Sequence, residues 1–228
     1  MVDLVAGYDG PPIVQGVSLW AESGQVVVVL GANGAGKSTL IKSVIGIVPP
    51  SGGAVTLDGK TVTGMPPYKL VRLGVGYLPQ LMNVFDELTV TENLEMGAFS
   101  FRQDAHRRIA EVFEMFDDLA RKPHARAGTL SGGQQRMLAL ARTLMAQPKI
   151  VILDEPTAGL SPAYADRVWE QVMRLRGQGI GFLVVEQTVR VALKHADFAV
   201  VLSNGRKIAA GAPAEIGSET ELAALFVG

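Results

Sequence analysis

Gly31-Ala32-Asn33-Gly34-Ala35-Gly36-Lys37-Ser38 follows directly on the apolar run Val26 to Leu30 and precedes a segment, Thr39 to Ile47, that reads as a helix. Glycines at this spacing let backbone amides converge on a phosphate without interference from Cβ atoms, and the start of the helix adds positive potential. In such a strand–loop–helix unit the lysine, here Lys37, reaches the β and γ phosphates of a nucleotide, and the hydroxyl, here Ser38, sits on Mg2+. Further along, the aliphatic run Ile150 to Leu153 ends in Asp154 and Glu155. A carboxylate at the end of a buried strand, Asp154, can hold the metal's water shell, and its neighbour Glu155 is then a candidate base for polarising an attacking water.

These residues need a scaffold that ends several strands at one edge. Val26 to Leu30, Ile150 to Leu153, Phe182 to Val185 and Ala199 to Leu202 are short unbroken apolar runs, the pattern of strands covered on both faces in a parallel sheet. Amphipathic helices separate them: one from Ile109 through Val112, Phe113, Phe116 and Leu119 to Ala120, another from Asp166 to Arg176, stopped by Gly177 and Gly179. Alternating strands and helices imply an α/β fold. Val26 to Leu30, Ala54 to Leu57 and Thr61-Val62, the last two around an Asp58-Gly59 turn, are expected to supply an antiparallel β flank. Thr89 with Glu92 and Ser131 with Gln134 fit capping boxes, and Ser161-Pro162 fits an N-cap followed by proline at the first helical position.

Composition narrows the functional classes. The chain has 21 Lys+Arg against 22 Asp+Glu, so it lacks the basic footprint of a nucleic-acid binder, and no nucleic-acid partner is expected. Zero cysteines exclude a disulfide framework, a thiolate metal site and a Cys nucleophile. His106, His124 and His195 are too scattered for a ligand cluster and are expected at the surface, as are Arg102, Arg107, Arg108 and the Arg121 to Arg126 stretch. No apolar run approaches the ~20 residues of a bilayer-spanning helix, and the N-terminus lacks the pattern of a secretory signal, so the chain is expected to stay where it is made. After Ala214 a short C-terminal helix is expected. Glycine is in excess, 26 residues or about 11% where ~7% is usual, and much of that excess lies at the phosphate loop and at turns.

Between the two acidic and basic motifs lies Leu130-Ser131-Gly132-Gly133-Gln134, followed by Gln135 and Arg136. With this segment the chain resembles, over essentially its whole length, the ATP-binding subunits of ABC transporters, whose signature is LSGGQ. The resemblance implies an ABC-type P-loop NTPase: a parallel-sheet core with a β flank (residues 1–80 and 141–228) and an inserted helical subdomain (residues 81–140) that docks on membrane subunits. It implies ATP and Mg2+ as ligands and a nucleotide contact set of Tyr8, stacking on adenine, with Gly31, Asn33, Gly34, Ala35, Gly36, Lys37, Ser38 and Thr39. Mg2+ would be held by Ser38, Gln80 and Asp154, and Glu155, Gln80 and Gln187 would serve hydrolysis. Ser131, Gly132, Gly133 and Gln134 would contact, in trans, the γ-phosphate held by a second ATP-binding subunit in a head-to-tail dimer. The remaining implied partners are two membrane permease subunits and, indirectly, an extracytoplasmic solute-binding protein, which places the chain peripherally on the cytoplasmic face of the plasma membrane.

Two departures point to one branch. The family's SALD loop reads Ala158-Gly159-Leu160-Ser161 here, with serine in place of aspartate, and the usual histidine after the third catalytic strand is Gln187. Glutamine after Val184-Val185-Glu186, together with the stretches around Gly31 and Asp154, resembles the smaller ATPase of branched-chain amino-acid importers and urea-type relatives. The expectation is therefore import of branched-chain or other hydrophobic amino acids. The alternatives are lipid or lipopolysaccharide export, a soluble non-transport ABC ATPase, and a regulatory nucleotide binder.

Overall fold

Every residue of Val26–Leu30 is buried, which explains a run that is apolar without alternation. Val26, Val28 and Leu30 enter one core with Val151, Leu153, Phe182 and Val184; Val27 and Val29 enter a second with Ile152, Leu183 and Val185. The computed structural model describes residues 1–81 and 84–216, without the side chains of residues 100–102. The expected C-terminal helix falls mostly outside the described residues, and so does the side chain of Arg102.

In chain order the described strands and α-helices are β1 (Val2–Ala6), β2 (Val14–Val17), β3 (Val26–Leu30), α1 (Lys37–Val44), β4 (Pro50–Ala54), β5 (Thr56–Leu57), β6 (Lys60–Thr61), α2 (Pro67–Arg72), β7 (Val75–Leu78), α3 (Val90–Gly97), α4 (Ala105–Met115), α5 (Asp117–Ala120), α6 (Gly132–Leu144), β8 (Ile150–Asp154), α7 (Pro162–Gly177), β9 (Gly181–Glu186), α8 (Val189–His195), β10 (Phe198–Ser203) and β11 (Arg206–Gly211). Six strands form one sheet in the order β11-β10-β3-β9-β8-β7, parallel except at β11. Trp169 and Val172 of α7 and Leu138 and Leu140 of α6 cover one face. Leu40 and Ile41 of α1, with Leu4, Val14 and Val17 of the flank, cover the other.

The antiparallel flank is the small sheet β2-β1-β4, with β5 and β6 as a hairpin beside it. Val26–Leu30 is not part of this flank, as its position among the early β segments suggested; it pairs with β9 and β10 at the centre of the large sheet. Its two apolar faces require covering on both sides, whereas β1 and β2 each expose part of their length.

The expected helix from Ile109 to Ala120 is two helices. Phe116 leaves the helical region (φ −130°, ψ 71°), and Asp117 and Asp118 begin α5 in a first turn where negative charge is favourable. Ile109, Val112, Phe116 and Leu119 nevertheless all reach the core, so the periodicity reported the buried face and not the break. Arg108 is a second correction: it is buried, and its guanidinium donates to the Met145 carbonyl at 2.7 Å. His195 is partly buried and stacks on Trp169 at 4.9 Å between ring centroids, while His106 and His124 are exposed.

Helix starts follow their local chemistry. Thr89 accepts from the Glu92 amide, and the Glu92 carboxylate accepts from the Thr89 amide at 2.7 Å. One turn on, buried Asn93 donates to the carbonyls of Phe85 and Thr89 and accepts from the Phe85 amide, tying residues 85–89 to α3. Ser161 has N-cap geometry before Pro162, yet its hydroxyl makes no capping hydrogen bond. Thr89→Ala is therefore expected to cost about 1 kcal/mol in a urea melt, against a few tenths or less for Ser161→Ala. Equal losses would contradict this assignment of the caps.

Candidate active site

Parallel register brings four loops to one edge. Leu30 pairs with Glu186, Val185 with Asp154, and Leu153 with Leu78. The segments that follow β3, β9, β8 and β7 therefore emerge side by side: the glycine loop from Gly31, then Gln187, then Glu155, then Pro79 and Gln80. The C-terminal edge of such a sheet is where α/β proteins bind ligands.

The glycine loop turns tightly into α1. Gly34 and Gly36 have φ of +83° and +96°, a region that side chains disfavour, and Gly36 is the N-cap of α1. Asn33 and Gly34 are exposed, while Gly31, Ala35, Gly36, Lys37 and Thr39 are buried and Ser38 is partly so. The Lys37 ammonium donates to the carbonyls of Gly31 (2.7 Å) and Ala32 (3.0 Å), so it already lies along the loop. Burial pulls its pKa down, opposed by the charges of Glu155, Asp154 and Glu186. Tyr8 is exposed in the β1–β2 loop, which also carries Ile13, whose side chain lies against Gly36. The Tyr8 ring is thus solvent-exposed.

Glu155 stands at the centre of the four loops. Its Oε2 accepts from Gln80 Nε2 at 2.6 Å and its Oε1 from Gln187 Nε2 at 2.5 Å. Two neutral amides hold the two oxygens, an arrangement that orients the carboxylate. The residue adopts φ +48°, unusual for a side-chain-bearing residue, and its amide donates to the Val185 carbonyl at 2.9 Å. Beside it, Asp154 is buried, and burial together with the Glu155 charge raises its carboxyl above the usual range; Lys42, Lys37 and Arg136 oppose the shift. Among the described residues Asp154 Oδ1 has no hydrogen-bond partner.

The signature lies across a cleft from this cluster. Ser131 is the N-cap of α6, in a capping box with Gln134. Ser131 and Gly132 are exposed, and among the described residues a side chain at Gly132 would meet nothing within 4 Å. Gly133 differs: a Cβ there would lie 2.2 Å from the Tyr164 ring, so its glycine serves packing within the chain. Gly132, Gln80, Arg136, Ala158 and Leu160 line a cavity of about 430 Å3 between the signature and the catalytic loops.

Two residues of the site were not foreseen. Arg136, buried on α6, donates to the carbonyls of Pro79 and Gln80 at 3.0 Å each, fixing the loop that carries Gln80. Glu186 ends β9 almost fully buried. Both left a trace in the sequence, since a charge at the end of a wholly apolar strand and an arginine one turn into a buried helix each need a partner.

A glycine loop, a buried lysine and a strand-end carboxylate pair at the C-terminal edge of this sheet define a P-loop ATPase. The sequence pattern of the ABC transporter family matches residues 14–158, and the chain belongs to that family, whose ATPases hydrolyse ATP to power transport. It is 40% identical over 206 residues to the high-affinity branched-chain amino acid transport ATP-binding protein BraG of Pseudomonas aeruginosa, covering 90% of this chain and 88% of that one. Over 230 residues it is 35% identical to the lipopolysaccharide export system ATP-binding protein LptB of Escherichia coli K12, covering 99% and 95%. The solved ADP conformation of MJ1267, an ATP-binding cassette of an ABC transporter, superimposes with a TM-score of 0.89 at 28% identity, covering 100% of this chain and 97% of that one.

The Gln187–Glu155 hydrogen bond makes a pH prediction. Glutamine does not titrate, so the ATPase profile between pH 5.5 and 8.5 should show no loss assignable to an imidazole ionising near about 6.5. Gln187→His should add an acidic limb; superimposable profiles for the two proteins would refute the assigned contact.

Proposed function

We propose that this chain is the ATP-hydrolysing subunit that powers import of branched-chain or other hydrophobic amino acids. The observation that carries the substrate class is the 40% identity to BraG, against 35% to LptB, together with Gln187 at the position where Glu155 is held. Export of lipopolysaccharide is the second reading, favoured by the longer span of the LptB similarity.

In this reading the loop amides of residues 31–39, with Lys37, receive the phosphates of ATP, and Tyr8 stacks on adenine. Glu155, oriented by Gln80 and Gln187, takes the proton of the attacking water; catalysis is positioning and electrostatics. Asp154 fits a divalent cation, because a buried, unpartnered carboxylate oxygen held above its usual pKa is an acceptor in need of positive charge. Ser38, Gln80 and Asp154 would hold Mg2+, which when bound neutralises phosphate charge. Ser131 and Gly132 face the γ-phosphate of a second ATP-binding subunit.

Residues 81–140 are proposed as the subdomain that meets the permease subunits. Supporting this, Phe85, Met96 and Phe99 are exposed apolar side chains on it. Phe85 and Met96 share a groove of about 260 Å3 with Tyr77, Arg142 and Thr143. Among the described residues no helix is long and apolar enough to cross a membrane, in keeping with a peripheral subunit on the cytoplasmic face, served from outside by a solute-binding protein.

Deleting the gene should abolish uptake of radiolabelled leucine, isoleucine and valine, with restoration by the wild-type chain and not by Glu155→Gln. Normal uptake together with a lipopolysaccharide surface defect would replace the proposed substrate by the second reading. In vitro, Asp154→Asn should abolish turnover yet raise the melting temperature of the nucleotide-free protein. The sign follows from linkage: a carboxyl with a raised folded pKa loses stability as pH rises through that pKa, and neutralisation removes the loss. A lower melting temperature would argue against an uncompensated charge at Asp154.

A further inference from the structure

We propose that Glu186 is a positioning residue for hydrolysis, holding Glu155 from both sides by gripping the loop after β8 and the residue after β9 at once. The inference rests on the reading of Glu155 as the base.

The geometry is a closed ring. Glu186 Oε1 accepts from the Thr157 hydroxyl at 2.6 Å and from the Thr157 amide at 3.3 Å. Its Oε2 accepts from the Gln187 amide at 3.2 Å. Gln187 Nε2 then donates to Glu155 Oε1, and Glu155 is joined to Thr157 through Pro156. The strained backbone of Glu155, at φ +48°, lies inside this ring. Thr157 fixes where the chain goes after Glu155, and Gln187 fixes where its carboxylate points; Glu186 sets both.

A carboxylate suits this task better than a neutral side chain. Ionised, it offers only acceptors, and all three groups aimed at it are donors. An amide in its place would turn an NH2 group toward either Thr157 or the Gln187 N–H. Its burial at 2% exposure is a cost that simple loop closure would not require. On balance its pKa is raised, by burial first and by the Glu155 charge, against the bonds from Thr157 and Gln187, with the Lys37 and Arg136 cations nearby. Glu186 accepts its hydrogen bonds from Thr157 and the Gln187 amide, so its effect should fall chiefly on turnover, with the distant charge on Lys37 a smaller influence on nucleotide affinity.

Steady-state ATPase of the full-length chain tests this with Glu186→Gln, Thr157→Val and Thr157→Ser, each corrected for folded fraction by circular dichroism. Expected is a fall in kcat of about tenfold or more for Glu186→Gln and Thr157→Val, with KM for ATP within about twofold. Thr157→Ser, which keeps the hydroxyl, should recover most of the rate, and the Glu186→Gln/Thr157→Val double variant should be no slower than the worse single one. Unchanged kcat per folded molecule with a lowered melting temperature would reduce Glu186 to a structural acid and overturn the proposal, as would a raised KM at constant kcat. Glu155→Gln separates the two levels. If it turns over at the wild-type rate the base assignment itself fails, and if it alone is inactive only the role of Glu186 does.

Discussion

The parallel pairing of β7, β8, β9 and β3 is the constraint on which the site depends. Because the strands run in one direction and in register, their ends arrive together, and residues far apart in sequence become neighbours: Gln80, Glu155 and Gln187 meet within hydrogen-bond distance. A slip of one residue in β9 would turn Leu183 and Val185 into the wrong core and carry Gln187 away from Glu155. The two apolar faces of the sheet are therefore also what locates the catalytic edge.

Charge at that edge is deliberately unbalanced. Asp154, Glu155 and Glu186 are buried close together, with Lys37 and Arg136 as the buried cations nearby, in a chain whose overall balance is nearly neutral. Burial pushes the carboxyls of Asp154 and Glu186 up and the amine of Lys37 down. Such a site is costly on its own, and positive charge placed beside Asp154 would offset that cost. The glycine excess fits the same arrangement, since backbone amides would receive a polyanion without a basic surface.

The sequence made the site legible wherever chemistry is local. The phosphate loop, the Asp154-Glu155 pair and the capping boxes at Thr89 and Ser131 are contiguous patterns, and each lies where its spacing predicts. Strands with two buried faces were equally plain. What escaped depended on long-range contacts. Phe116 interrupts a helix without glycine or proline, Arg108 is drawn inward by the carbonyl of Met145, and Arg136 finds acceptors more than fifty residues away. Val26–Leu30 carries two expectations, a doubly covered parallel strand and a piece of the antiparallel flank; the first holds and the second does not, because partner choice is set by the faces of other strands. Glu186 was read as part of a family pattern while its own bonds, to Thr157 and Gln187, could be seen only in three dimensions.

The contact between Gly133 and Tyr164 has a mechanical consequence. With the tyrosine ring filling the place of a side chain at Gly133, the start of α6 packs directly on the start of α7 at this one point. Any side chain larger than hydrogen at Gly133 would force the two helix starts apart. Since α7 begins after the loop that leaves Glu155, the signature turn and that loop are anchored to the same helix start.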